Sequence, residues 1–164
     1  MRFVKQAFFS ILFLAILVQV IALLFPARII VSRAITIHAP ADSLRPYLQN
    51  MYGWQKWISG MQDTSVHVLS QTEAEIGNRT VLIEKVVPDS VVSVWRSAKN
   101  HLLISTMQII PTSNGASAVV QWQYEQFLKW YPWERFGSLM SDKIIGGMLE
   151  QNLNRLQILV EKKN

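Results

Sequence analysis

Few residues in this sequence could act on a substrate. Glu84 and Glu125 each fall in a stretch of alternating residues that reads as a strand. Two carboxylates facing one cavity could serve as general acid and general base. The plainer reading of the same alternation puts both on the outer, solvated face of a sheet. His38, His67 and His101 are dispersed, and none has a His, Asp or Glu partner at metal-ligand spacing. The absence of cysteine excludes disulfides, thiolate zinc sites and a cysteine nucleophile. A phosphate-cradling glycine loop and a G-x-S-x-G nucleophile elbow are also missing. Asn78-Arg79-Thr80 fits the glycosylation triplet, a pattern common by chance. No metal, no cofactor and no catalytic residue is therefore expected.

Binding is better represented. Trp95 lies on one predicted strand, and Trp122 and Tyr124 alternate on another. Met61, Met107, Met140 and Met148 lie nearby in the predicted order. Trp54 and Trp57 are three apart and share a face of a helical turn. Aromatic rings carry large apolar areas and methionine adapts to irregular shapes. With Ile144 from the last helix, these residues are candidates to line an apolar ligand cavity. The alternative is an ordinary packed core made of the same residues. Trp130-Tyr131-Pro132-Trp133, between Lys129 and Arg135, is a different cluster. Rings beside basic side chains suit a membrane–water interface, so Trp130, Tyr131 and Trp133 are interface candidates. Alternatively this segment packs back and fastens the final helix.

The first element that must position these groups is unlike the rest. Residues 7–25, AFFSILFLAILVQVIALLF, contain only Ser10 and Gln19 as polar residues and no charge. At about 1.5 Å per residue, such a helix spans roughly 28 Å, close to the thickness of a bilayer's hydrocarbon core. Pro26 ends the run. A cleaved signal peptide would have a shorter apolar region and a small-x-small cleavage site, which Phe25-Pro26-Ala27 does not provide. A helix packed on a soluble core would show a polar face. The segment therefore reads as an uncleaved single-pass anchor, between a short tail (residues 1–6) and one domain (residues 29–161). Arg2 and Lys5 favour a cytoplasmic N-terminus, and Arg28 and Arg33 oppose it. The orientation adopted puts the N-terminus inside and the domain outside the cytoplasm, at a cell inner or plasma membrane. The formal net charge of +5 forms no run or stripe. That argues against a nucleic-acid partner and suits a position near a membrane surface.

Within the domain, residues 29–37 alternate, with Val31, Arg33, Ile35 and Ile37 on one face. Ala39-Pro40-Ala41-Asp42 breaks the strand, and Asp42 or Ser43 can cap a short helix over residues 44–49. Candidate strands follow at 64–70, 79–87, 91–97, 102–110 and 116–127. The breaks at Ile76-Gly77-Asn78, Pro88-Asp89, Lys99-Asn100 and residues 111–115 are short, so successive strands pair as antiparallel hairpins. After residues 131–135, Phe136, Met140, Ile144, Met148, Leu149, Leu153, Leu156 and Val160 recur at threes and fours. This is a long amphipathic helix. Gly146-Gly147 in its middle costs up to about 1 kcal/mol per glycine relative to alanine. The pair marks either close packing against the sheet or a thin spot or kink beside a cavity.

This order of elements resembles the helix-grip fold. Val31-Ser32-Arg33-Ala34-Ile35-Thr36-Ile37-His38-Ala39-Pro40 resembles the first strand of the START-like superfamily (SRPBCC, polyketide cyclase/dehydrase and lipid transport). Trp54-Gln55-Lys56-Trp57 matches its W-x-x-W segment, and Asp142-Lys143-Ile144-Ile145-Gly146 through Leu156 resembles its closing helix. A single N-terminal anchor recurs among bacterial members. The resemblance covers roughly residues 29–161. It implies an α+β domain: an antiparallel sheet wrapped on a long C-terminal helix, with an apolar cavity between them. It implies binding of lipids or other hydrophobic molecules, and brings no universal catalytic motif. Many bacterial members place a Gly-rich strand soon after W-x-x-W. Here the chain passes directly from Met61 to Val66, so that strand is expected to be short or missing. The expected function is a membrane-anchored binding domain for a hydrophobic small molecule or lipid, without catalysis. The alternatives are a tethered protein-interaction module with a packed core, and a cyclase-type enzyme using cavity carboxylates. No particular protein partner is implied.

Overall fold

The apolar N-terminal run folds as helix α1 (Arg2–Leu23), long and apolar enough to cross a membrane. Among its residues Ala22 alone is buried; Phe8, Ile11, Phe13 and Leu14 stand exposed. The structure, a computed structural model, describes residues 2–97, 102–113 and 115–162. His101, Lys99, Asn100 and Asn114, which the sequence reading placed at or beside turns, lie outside these residues.

The period-two stretches become strands of one antiparallel sheet. They are β1 (Arg28–Ile37), β2 (Val66–Val68), β3 (Glu73–Ile76), β4 (Arg79–Val87), β5 (Ser90–Ser97), β6 (Leu102–Pro111) and β7 (Ala118–Phe127). Their order is β1-β7-β6-β5-β4-β3-β2. Strands β2 to β7 form a meander, and β1 closes on its last member, with Arg28 opposite Phe127 and Ile37 opposite Ala118. Two short helices, α2 (Ala41–Leu48) and α3 (Met51–Trp54), follow β1. After β7 come α4 (Pro132–Gly137), a 3-10 turn (Ser138–Met140) and the long α5 (Ser141–Glu161). This is the helix-grip α+β architecture.

One expected strand divides. The stretch 64–70 is extended only over β2, and β3 follows within a tight hairpin. The Ser70 hydroxyl accepts from the Thr72 and Glu73 amides at 3.1 and 3.0 Å, which turns the chain. β3 is four residues with two glutamates, too short and too charged for its alternation to stand out. Both strands after W-x-x-W are thus short.

Helix α5 lies along β1 and runs in the same direction. Arg33 pairs with Asp142 at 3.1 Å and Glu150 at 2.6 Å. Further on, Gln157 donates to the Thr36 carbonyl at 3.1 Å, and Glu161 accepts from the His38 amide at 2.9 Å. Arg33 faces inward beneath the helix, and a Cβ at Gly146 would collide with its guanidinium. Gly146 therefore marks close packing against β1, while Gly147 borders open space.

Helices α2 and α3 close the far end of the sheet, the end of Ile37 and Ala118. A Cβ on Gly53 would strike the Pro46 carbonyl and the Tyr47 backbone, so only glycine lets α3 approach α2 this closely. Asn50 caps α3 by accepting from the Gly53 amide at 2.7 Å. The indole of Trp54 donates to the Leu48 carbonyl at 2.7 Å, and that of Trp57 to the Tyr47 carbonyl at 2.9 Å. Both rings are thereby buried without an orphaned N–H.

Candidate functional site

The inner face of the sheet changes character along its length. At the far end, Ile37, Ile109, Val120 and Met107 pack into a solid core with Leu44, Leu48, Met51 and Trp54. One step nearer α1, Ser93 on β5 and Ser105 on β6 lie opposite each other, both fully buried. Small side chains in the middle of a sheet leave room above them, and the rings of Trp95 and Trp122 reach over it. The Trp122 indole donates to the Ser105 hydroxyl at 2.8 Å, and the Trp95 indole to the Ser93 hydroxyl at 3.3 Å. The Tyr124 phenol also hydrogen-bonds Ser105. Among the described residues no buried side-chain nitrogen or oxygen lacks a partner. Ring contacts join Trp57 to Trp122 at 5.2 Å, Trp122 to Tyr124 at 5.6 Å and Tyr124 to Trp95 at 6.1 Å. These contacts and hydrogen bonds tie the rings to one another and to the sheet.

Trp95, Trp122 and Tyr124, with Leu103 from β6 and Ile145 and Met148 from α5, line a cavity of about 450 Å³. Small-molecule pockets usually measure about 300–1,000 Å³. Asn152 of α5, fully buried, accepts from the Ser59 amide at 2.7 Å and so pins the segment that carries Ile58, Met61 and Asp63 against the helix. Arg79 and Asp63 are the charged residues among its lining. Burial pushes the Tyr124 phenol well above its ordinary range, opposed by the Ser105 hydrogen bond and the charge of Arg79. It stays neutral at physiological pH, a hydrogen-bonding group and not an anion. A second, shallower groove of about 660 Å³ lies by the C-terminal end of α5, lined by Lys56, Trp57, Arg155, Ile158 and Lys162 among others. It is more open and more polar, which makes the aromatic cavity the better candidate for an apolar ligand.

Of the residues singled out in the sequence, Met61, Trp95, Trp122, Tyr124 and Met148 meet at this cavity. Trp54 and Met107 lie in the solid core, and Trp57 lies between Trp122 and the shallow groove. Met140 and Ile144 are exposed and away from the cavity. Within α5, Ile145 lies four residues before Leu149 and eight before Leu153, so it, and not Ile144, shares their inward face. Glu125 sits on the face opposite its neighbour Tyr124 and pairs with Arg28, and Glu84 pairs with Arg96 at 3.4 Å on the surface. Neither reaches the cavity. Among the described residues no cluster of His, Asp and Glu could hold a metal. Trp130 and Trp133 are exposed, and Tyr131 stacks on Trp133 with centroids 4.8 Å apart.

Sequence reasoning passed over Ser93, Ser105, Asp63, Arg79, Ile145 and Asn152. For three of them a signal existed. Ser93 and Ser105 interrupt otherwise large inward positions, and Asn152 lies in the apolar stripe of Leu149, Leu153 and Leu156.

No protein-family model matches the chain, and no curated protein sequence matches it. Solved structures do. A START superfamily protein from Mycobacterium smegmatis superposes with a TM-score of 0.65 at 14% identity, covering 82% of this chain and 99% of its own. A protein from Nitrosospira multiformis gives 0.63 at 10% identity, covering 83% and 100%. Norcoclaurine synthase from Thalictrum flavum, in complex with dopamine and hydroxybenzaldehyde, gives 0.61 at 11% identity, covering 84% and 88%. The domain has the START-like fold.

Proposed function

We propose that this chain is a membrane-anchored domain that binds a hydrophobic small molecule or lipid in the cavity between its sheet and α5. The observation that carries this reading is the cavity of about 450 Å³ lined by Trp95, Leu103, Trp122, Tyr124, Ile145 and Met148. Its indole donors are already engaged by Ser93 and Ser105, so an apolar ligand would strand neither of them. A ligand that buries about 200 Å² of apolar surface there gains about 5 kcal/mol, at about 25 cal/mol per Å². The ligands of norcoclaurine synthase indicate that a START-like cavity accommodates small aromatic molecules.

The anchor is α1, with residues 7–25 in the bilayer, and the binding domain is residues 29–161. Arg2 and Lys5 keep the N-terminus cytoplasmic, and the domain lies outside. No catalytic step is proposed, because Glu84 and Glu125 point away from the cavity. A fully packed interaction module fits less well, since the described residues leave a cavity of about 450 Å³ beside the packed far end.

The test uses the full chain in mild detergent, with native mass spectrometry and solvent extraction, beside an Ile145→Trp variant that fills the cavity. An apolar molecule near one per chain in the parent and lost in the variant is the expected result. Equal amounts in both would identify annular detergent or lipid and overturn the reading. So would a clean apo mass in both.

A further inference from the structure

Gln19 interrupts the apolar run of α1, and its partner is far away in sequence. Its amide nitrogen donates to the Trp130 carbonyl at 3.1 Å. Contacts continue toward the end of the helix. The Phe25 ring meets Phe136 edge-on with centroids 5.4 Å apart. The buried Arg135 guanidinium donates to the carbonyls of Phe25 and Lys129, and the Leu128 amide donates to Ala27 at 2.8 Å. The segment from Leu128 to Phe136 thus lies along the last turns of α1. A helix advances about 1.5 Å per residue, so the Trp130 carbonyl sits roughly 9 Å deeper along α1 than Phe25. If α1 crosses a bilayer, that level lies below the headgroups.

The surface around this segment suits such a place. Trp130, Trp133, Leu139, Met140 and Ile144 are 60%, 69%, 62%, 54% and 66% exposed, and Phe136 joins them. They come from three consecutive elements, α4, the 3-10 turn and the start of α5, with the loop before them. The nearby acids are engaged: Glu134 accepts from the Lys129 amide at 2.8 Å, and Arg33 holds Asp142 and Glu150. Lys129 and Lys143 flank the patch and are exposed. Apolar side chains rimmed by free cations match an anionic lipid surface.

The strand register brings the cavity to the same end. Arg28 leaves α1 opposite Phe127, next to Gln126. Gln126 is opposite Leu103, Leu102 is opposite Arg96, and Ser97 is opposite Arg79. The lining residues Gln126, Leu102, Ser97 and Arg79 therefore form the α1 end of the sheet.

We propose that Trp130, Trp133, Phe136, Leu139, Met140 and Ile144 are embedded in the bilayer that α1 crosses, which turns the rim of the cavity toward the lipid. The ligand is then drawn from the leaflet and not from water. This rests on reading α1 as an anchor and the cavity as a binding site.

The chain has no cysteine, so single cysteines can be labelled without removing any. The full chain is reconstituted in nanodiscs of phosphatidylcholine and phosphatidylglycerol, with a nitroxide at Leu139→Cys or Ile144→Cys. Leu14→Cys marks the bilayer interior, Ile110→Cys at the far end of β6 marks water, and Leu102→Cys marks the rim. Collision with oxygen and with a water-soluble nickel complex is measured at each. Expected are several-fold lower nickel access at Leu139 and Ile144 than at Ile110, oxygen access near that of Leu14, and an intermediate value at Leu102. Nickel access equal to Ile110 at Leu139 and Ile144, with Leu14 in lipid, overturns the embedding and leaves the anchor standing. Leu14 in water overturns both. Exclusion of both reagents at Leu139 and Ile144 marks a protein partner and overturns it too. Water-like access at Leu102 alone overturns the orientation of the rim. The readings at Leu14, Ile110, Leu139 and Ile144 do not depend on whether the cavity is occupied, which the native mass reports separately.

Discussion

At the far end of the sheet, Ile37, Met107, Ile109 and Val120 meet Leu44, Leu48, Met51 and Trp54, and all are buried in one cluster. At the α1 end, β5, β6 and β7 present Trp95, Leu103 and Tyr124, side chains at least as large. Yet this end is hollow. Among the described residues, helices α2 and α3 close the far end, whereas the α1 end is walled by α5 and the segment around Met61. Between the two ends, Ser93 and Ser105 seat the indoles of Trp95 and Trp122. An apolar inner face thus decides which side of a sheet is covered, and the number of covering elements decides whether the space beneath them is full.

Substitutions on either side of the serine row should break this contrast or sharpen it. The largest effect is expected from Trp54→Ala in the solid end, a loss of about 3–5 kcal/mol in chemical denaturation. Met148→Ala, at the cavity and partly exposed, should cost about 1 kcal/mol or less. Equal losses would mean that the two ends are packed alike. Gly53→Ala should cost about 1–3 kcal/mol, because the obstacle is backbone of α2 that cannot rotate away. A Gly53→Ala protein of parental melting temperature would show that α2 and α3 can separate.

The ionisable groups give smaller, pH-dependent contrasts. Tyr124 is buried and its phenol is held above the ordinary value of 10.0. The folded state keeps a proton there that the unfolded chain releases, so stability is full below that value and falls as pH rises beyond it, by up to about 1.4 kcal/mol per pH unit. Tyrosinate absorbance should show one of the four tyrosines ionising only as the protein unfolds, and Tyr124→Phe should lack this alkaline loss. The smallest effect lies at the end of α5. Hydrogen bonds from the His38 amide and then its ring hold the Glu161 carboxyl below its ordinary 4.5. Here the folded state releases a proton more readily than the unfolded chain. The tie therefore contributes above that value and is lost as pH falls through the lowered one. Melting temperature followed from neutral pH into acid should decline a little less in Glu161→Gln than in the parent.

Much of the fold was legible from local pattern. The uncharged apolar run of residues 7–25 predicted α1, the alternation in 79–87 and 116–127 predicted β4 and β7 nearly to the residue, and the three-and-four spacing predicted α5. β3 was not legible because a four-residue alternation with two glutamates is indistinguishable from a turn. In α5 the apolar spacing admitted two stripes. The one through Met140 and Ile144 was exposed, since α5 turns the stripe of Leu149, Leu153, Leu156 and Val160 to the sheet and Arg33 lies under Gly146.

The sequence by itself therefore determined the longer elements and their order, because those follow from a residue's neighbours two to four positions away. Tertiary structure alone decided that the interior is solid at one end and open at the other. A cavity is the difference between the volume enclosed by distant elements and the side chains that fill it, and no local period reports that difference. The same holds for Gln19. Its place in an apolar helix is accounted for only by Trp130, which is 111 residues away.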